Sequence, residues 1–423
     1  MANKLEQIWK AKEVRNSIIF VLLMLVIFRL LAHIPIPGVD VTALRDFFSS
    51  NQVLGLVNMF SGAGMQNFSI VMMGVAPYIT SSIVFQLLAM IIPKLEEMNK
   101  EEAGRQKINM WTRWLTVPLA MIESYGMITL LRRSTTGIIG DLGTFDMLSI
   151  VITITAGTVF LMWLGELISE RKIGNGISLM IFAGIISGLP TMIQNLFATY
   201  DSTMLFTVIA FVIVALVTVV GVVIVNEGQR NIPVQYARQV HGSRAFGGTS
   251  TSLPLRVNMA GVMPIIFAVS VILFPSMVAQ FFINAKSMFL ADAAQWVIGV
   301  LANQMVYGIV YFVLVFGFTY FYTEVIFHPE NIAENLQRQG GFIPGIRPGK
   351  HTSDYLNTVS HRVIFTGAIF LAVIAILPLI VRYFSGMQSL VIGGTSLLIV
   401  VSVVIDMVKQ IQAQLSMRDY DIM

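Results

Sequence analysis

Few residues in this sequence are of a type and spacing that could do chemistry. Glu123 is the clearest ionisable residue inside an apolar stretch; Glu166, Glu324 and Asp406 lie toward the ends of others, and Arg29 toward the opposite end of its own. An acid–base pair or a proton relay needs at least two such groups within reach of each other, and these are spread one to a segment. The five histidines do not fall at ligand spacing, and with no cysteine there is neither a thiolate metal site nor a disulfide. No HExxH, GxSxG or P-loop pattern occurs. Glu123 therefore reads as a hydrogen bond between helices. The sequence disfavours an enzyme and asks for no cofactor or metal, and any work driven by ATP must come from another protein.

The elements that would position these residues are long and apolar. Of the 423 residues, 56% are hydrophobic and 12% charged, where soluble proteins carry about 25% charged residues. This composition describes an integral membrane protein. Apolar runs of spanning length fall at about 16–34, 69–92, 112–131, 147–168, 177–198, 204–225, 258–283, 303–326, 361–381 and 389–410. They are continuous rather than alternating, which predicts an all-α protein of ten transmembrane helices and not a β-barrel. The run from 18 to 34 is longer than the core of a signal peptide, and no small-residue cleavage site follows it, so it reads as a retained first span. With the N-terminus inside, 21 of the 27 lysines and arginines fall on inner segments. Arg29, Arg45, Arg132, Arg133, Lys286 and Arg382 lie on or near the far side. That bias puts both termini in the cytoplasm.

Ten spans divide into residues 1–198 and 199–423, five in each half. An odd number per half makes the second half enter the membrane from the opposite side, as in an inverted repeat. Two inner segments, 226–257 and 328–360, are large and rich in Gly, Pro, Arg and Gln; they read either as docking surfaces for a cytoplasmic partner or as charge that fixes topology. The stretch 54–64 is too short to cross a bilayer and too apolar for a solvated loop. It either folds back into a cavity or lies at the interface. An interior of Gly, Ile and Met with almost no charge suits the passage of something large and varied better than tight binding of a small solute. The competing classes are an ion-coupled secondary transporter with a five-plus-five inverted repeat and a membrane scaffold or insertase without a through-pore.

Particular residues add a resemblance. The run Gly74-Val75-Ala76-Pro77-Tyr78-Ile79-Thr80-Ser81-Ser82-Ile83 resembles the second span of the bacterial SecY family, the central channel subunits of the Sec protein translocase. Gly174-Asn175-Gly176-Ile177-Ser178 with Phe182-Ala183-Gly184-Ile185 resembles that family too. So do Val257-Asn258-Met259-Ala260-Gly261-Val262-Met263-Pro264, Pro344-Gly345-Ile346-Arg347-Pro348-Gly349 and Gly393-Gly394-Thr395-Ser396. The resemblance implies a clamshell of two inverted halves around an hourglass pore that passes unfolded secretory chains and releases membrane segments sideways into lipid. It implies a waist ring of Ile79, Ile83, Ile177, Ile181, Ile266 and Ile399. It also implies a re-entrant plug helix at about 54–65, including Leu56, Val57, Met59, Phe60, Gly62 and Gly64. Between spans 2–3 and 7–8 it implies a lateral gate carrying Ser82, Gln86, Asn258 and Phe274. Arg238, Arg244 and Arg347 fall in loops that would dock a SecA-like motor ATPase or the ribosome. Further implied partners are SecE-like and SecG-like membrane subunits, signal-sequence-bearing preproteins and membrane lipids, with the bacterial plasma membrane as location.

Overall fold

The computed structural model describes residues 10–37, 39–50, 58, 61–62, 64–133, 138, 140, 143–198, 205–236, 239–241, 244–246, 250–283, 287–385 and 393–422. The chain divides into two compact units. One comprises residues 1–206, 269–307 and 403–423; the other comprises 207–268 and 308–402.

In the first unit, helix α1 (Lys12–Leu31) leads to a short helix α2 (Val41–Ser50). Asp40 precedes α2, and its carboxylate accepts from the Thr42 hydroxyl and from the amides of Thr42 and Ala43. These donors, the Thr42 hydroxyl foremost, hold Asp40 below the usual carboxylate range. After residue 64 the chain turns repeatedly until α3 (Ala76–Ile91). The apolar run that predicts a helix from about 69 therefore overshoots. Phe68 and Ile70 instead pair with the chain that follows α1, Ile70 N–H donating to the Ile34 carbonyl and Ile36 N–H to that of Phe68, and residues 71–75 continue in turns. Pro77 sits in the first turn of α3, where a missing N–H leaves no bond unmade. At the other end Ile92 is extended, as a residue before proline prefers to be, and α4 (Pro93–Lys100) turns away from α3 by 109°.

Helices α5 (Glu102–Arg133), α6 (Thr144–Glu170) and α7 (Gly176–Ala198) follow. Phe68, Met72 and Met73 are buried in one cluster with Leu44 of α2, Ile128 and Leu131 of α5, and Ile154 of α6. Gly157 of α6 faces the Ile70 carbonyl so closely that any Cβ there would collide with it.

The second unit begins in α8 (Leu205–Glu227) and contains a sheet where the sequence reading saw only a polar loop. Strands β1 (Gln229–Tyr236) and β4 (Ser250–Arg256) pair antiparallel from Gln229 with Arg256 to Gln235 with Ser250. Strands β2 (Gln239–His241) and β3 (Arg244–Phe246) form a hairpin between them. The chain continues through helices α9 (Met263–Phe282) and α10 (Met288–Ala302), whose residues from 269 on belong to the first unit, then α11 (Gln304–Ile326) and α12 (Pro329–Arg338) to β5 (Gly341–Phe342). That strand joins the other edge of β1, giving the order β4–β1–β5. Ile232 and Val234 alternate with exposed neighbours along β1 and pack with Leu255, Leu336, Ile343, Leu356 and Val359. The chain ends in α13 (Lys350–Ser385) and α14 (Gly393–Ile422).

Each of the ten apolar runs coincides with a helix. Among the described residues, six helices are long and apolar enough to cross a membrane (α1, α5, α6, α11, α13 and α14), and the bent pair α3–α4 makes a seventh candidate. The apolar parts of α7, α8, α9 and α10 are shorter. Helices α5, α13 and α14 extend well past their apolar runs, because a helix continues into water on polar residues that hydropathy does not register.

Candidate functional site

Ile79 and Ile83 stand one turn apart on α3, hence on one face, and both are buried. A polar contact ties α3 to α5: the Ser81 hydroxyl donates to the Thr112 carbonyl at 2.7 Å. The Thr80 hydroxyl donates to the Ala76 carbonyl within α3 at 3.1 Å, and Glu123 is buried on α5.

On α7, Ile181 is fully buried and Ile177 half-buried. The start of this helix is tightly specified. The Asn175 carboxamide oxygen accepts from the Ile177 and Ser178 amides at 3.1 and 3.2 Å, and the Ser169 hydroxyl accepts from Gly176 N–H at 2.9 Å. In the second unit, Ile266 in the first turns of α9 and Ile399 on α14 are buried. A chain of amides and a hydroxyl steadies that region. Asn258 donates to the Asn226 side chain at 2.7 Å, and Asn226 donates to Ser402 of α14 at 2.6 Å. Asn258 also accepts from Gly261 N–H at 3.0 Å, which fixes the turn into α9.

Of the other residues singled out in the sequence, Gln86 donates to the Ser82 hydroxyl at 3.0 Å along α3. Phe274 on α9 is 40% exposed. Leu56, Val57, Met59, Phe60 and Arg238 lie outside the described residues. Arg244 belongs to β3. Arg347 is exposed in the turn before α13, and its carbonyl accepts from the Thr352 hydroxyl at 3.0 Å.

Gly62 and Gly64 fall in a compact, polar-stitched segment. Asn58 and Gln66 exchange two hydrogen bonds, from Asn58 Nδ2 at 2.9 Å and from Gln66 N–H at 3.0 Å. The Ser61 hydroxyl donates to the Asn58 carbonyl and accepts from Met65 N–H. Gly62 has φ +67°, a backbone state that favours glycine. Arg29 of α1 donates to the Gly62 carbonyl. Arg113 and Glu166 pair at 2.6 Å between α5 and α6. Gln414 of α14 donates to the carbonyls of Arg171 and Lys172 at the end of α6.

A family model described as SecY matches residues 69–408. The chain belongs to the SecY family. A SecY relative from Corynebacterium glutamicum, named protein translocase subunit SecY, is 43% identical over 436 residues, covering 98% of each chain. Two solved structures share the SecY fold, each covering 93% of this chain and 91% of its own. One is a SecY protein whose plug domain is described as stabilising the closed state of the translocation channel and maintaining a membrane seal (TM-score 0.64, 19% identity). The other is Sec61 in a canine ribosome–channel complex from the endoplasmic reticulum (TM-score 0.60, 18% identity). The protein is accordingly a mostly helical, multi-pass membrane protein of the SecY fold.

Three features of the site were missed by sequence reasoning. The contact of Arg29 with Gly62 and the tie from Gln414 to α6 join residues 33 and more than 240 positions apart. The Asn226–Asn258–Ser402 chain had a weak signal, since asparagines bordering apolar runs are out of place in lipid unless paired.

Proposed function

We propose that this chain is the channel subunit of a bacterial protein translocase. It passes unfolded secretory polypeptides across the plasma membrane and releases membrane segments laterally into lipid. The observation that carries the reading is the nearly full-length match to a relative named protein translocase subunit SecY. In this reading the channel is passive and no enzyme. A SecA-like motor ATPase or the translating ribosome drives it, SecE-like and SecG-like subunits stabilise it, and both termini lie in the cytoplasm.

Residues 1–198 and 199–423 act as two inverted halves. Ile79, Ile83, Ile177, Ile181, Ile266 and Ile399 form the waist ring. Aliphatic side chains give water and ions nothing in place of their hydration shells, so the closed waist gates by dewetting. They make no directional bonds either, and so they can spread around any passing chain. The burial of Ile79, Ile83 and Ile181 supports this assignment. Residues 54–65 act as the plug that seals the ring at rest. Ser82, Gln86, Asn258 and Phe274 border the lateral gate, where an apolar signal sequence partitions into lipid. Arg238, Arg244 and Arg347 present positive charge to acidic protein or ribosomal RNA. The secondary-transporter alternative is not favoured, because Glu123 is the one carboxylate deep in an apolar run and the other ionisable groups lie near span ends.

Reconstitution with the motor and membrane subunits tests the proposal. A preprotein with an intact signal sequence becomes protease-protected in an ATP-dependent way, and Ile83→Asn raises resting ion conductance in planar bilayers by about tenfold or more. A preprotein that is never protected, in any lipid, would refute the channel; unchanged conductance would refute the ring.

A further inference from the structure

Arg29 lies in α1 against the charge bias that puts most lysines and arginines on the inner side. A guanidinium at membrane depth needs acceptors for its N–H groups. Among the described residues no carboxylate pairs with it, and its hydrogen bond runs from Nη1 to the Gly62 carbonyl, 33 residues along the chain. Gly62 is seated as well as tethered. A Cβ there would lie 2.6 Å from Phe28 Cζ and 3.4 Å from the Gly184 Cα, so Phe28 and Arg29 of α1 and Gly184 of α7 enclose one glycine. Gly184 comes about one turn after Ile181 on the same helix.

The chain beyond Gly62 is held differently. Residues 65–73 are fixed by backbone pairs with 34 and 36 and by the buried Phe68 and Met72. That end is an anchor. The Arg29 contact is a single charge-assisted bond near one end of α1. When it breaks, water can solvate both the guanidinium and the carbonyl, because a long side chain near a span end reaches the interface. Such a bond is strong enough to bias a position and weak enough to release.

We propose that Arg29 is a positioning residue that latches the plug: its bond to the Gly62 carbonyl holds the segment in the sealed position and breaks when the segment leaves. The inference rests on the reading of residues 54–65 as the plug. A charge-assisted hydrogen bond corresponds to about ten- to a hundredfold in an equilibrium, so its loss shifts the resting population of displaced plugs by that factor.

The test is the resting ion conductance of the complete reconstituted complex in planar bilayers. The variants are Arg29→Met, Arg29→Gln, Arg29→Lys, Gly62→Ala, the pair Arg29→Met with Gly62→Ala, and a chain lacking residues 56–60. Arg29→Met, which keeps length and loses the donors, raises the leak about tenfold or more. Arg29→Gln, too short to reach, leaks alike and carries the same test if the methionine variant fails to assemble. Arg29→Lys, which keeps a cationic donor, recovers part of the seal. Gly62→Ala forces the carbonyl away from Phe28 and leaks as well. The double variant leaks no more than Gly62→Ala alone, because that substitution already displaces the carbonyl that Arg29 holds along with the packing on Phe28. A tight seal in Arg29→Met or Arg29→Gln while the 56–60 deletion leaks would overturn the latch and leave the plug standing. So would multiplying leaks in the double variant. A deletion that does not leak would overturn the plug reading itself.

Discussion

Residues 64–75 in the first unit and the β4–β1–β5 sheet in the second are both short, irregularly connected pieces, yet they are fixed in different ways. The first buries Met65, Phe68, Met72 and Met73 against α2, α5 and α6, and its closest approaches are set by backbone. Ser69 N–H donates to the Gly64 carbonyl, Met72 N–H to Ser69, Ile36 N–H to Phe68 and Ile70 N–H to Ile34, while Gly157 lets α6 press against the Ile70 carbonyl. The second joins a regular strand ladder to a core of side chains: Ile232, Val234, Leu255, Leu336, Ile343, Leu356 and Val359 exclude water like the core of a small soluble protein. The difference teaches what surrounds each piece. Lipid is as apolar as leucine and gives little reward for clustering apolar side chains, so among membrane helices close approach and satisfied amides carry a larger share of the holding. Water supplies that reward, and a seven-residue cluster is enough to order a sheet.

Three measurements would break or sharpen this contrast. Gly157→Leu has the largest expected effect. Its side chain has no room beside the Ile70 carbonyl, and the clash is with backbone, which cannot swing aside. A destabilisation of about 3 kcal/mol or more is expected, seen as loss of the assembled protein from membranes. Normal accumulation would show that residues 64–75 are not braced by α6. Next comes Leu356→Ala, a fully buried residue of the sheet's core. It loses about 2–4 kcal/mol, but locally. Limited proteolysis should cut within 226–257 while the spans stay protected; collapse of the whole protein would mean that the sheet is not an independently ordered piece. The smallest change is Arg347→Glu. Its side chain is exposed and its backbone is held by Thr352, so the sheet stays folded. Affinity for the motor or ribosome drops about tenfold at low salt and by less at high salt. A loss that ignores salt would assign Arg347 a structural role.

The spans were legible because bilayer thickness writes itself into sequence as apolar length; all ten runs coincide with helices. Boundaries were legible only where local chemistry overrides hydropathy. The start of α3 at Ala76 instead of about 69 follows from backbone pairing with residues 34 and 36, a tertiary fact with no local signature beyond Pro77 in the first turn. Helix α10 was missed because Met288–Ala302 is too short to read as a span and carries Asp292 in its second turn. The alternation of Ile232 and Val234 was present in the sequence, but Pro233 between them argues against a strand. Ile79 and Ile83, or Ile177 and Ile181, carry no distinguishing mark of their own. Isoleucines at this spacing are ordinary in any membrane helix, and only the resemblance singled them out. Arg29 did carry a mark, its place on the disfavoured side, but its acceptor is a backbone carbonyl and so invisible to any pattern of side chains.

The hydrogen bonds from Gln414 to the carbonyls of Arg171 and Lys172 close one unit across more than 240 intervening residues. Chains emerge from the ribosome N-terminal end first. For most of its synthesis, therefore, the end of α6 waits for a strut that has not yet been made. A ribosome that stalls anywhere before the end of α14 leaves those two carbonyls without the strut, so the last turns of the chain finish a helix end laid down near its middle.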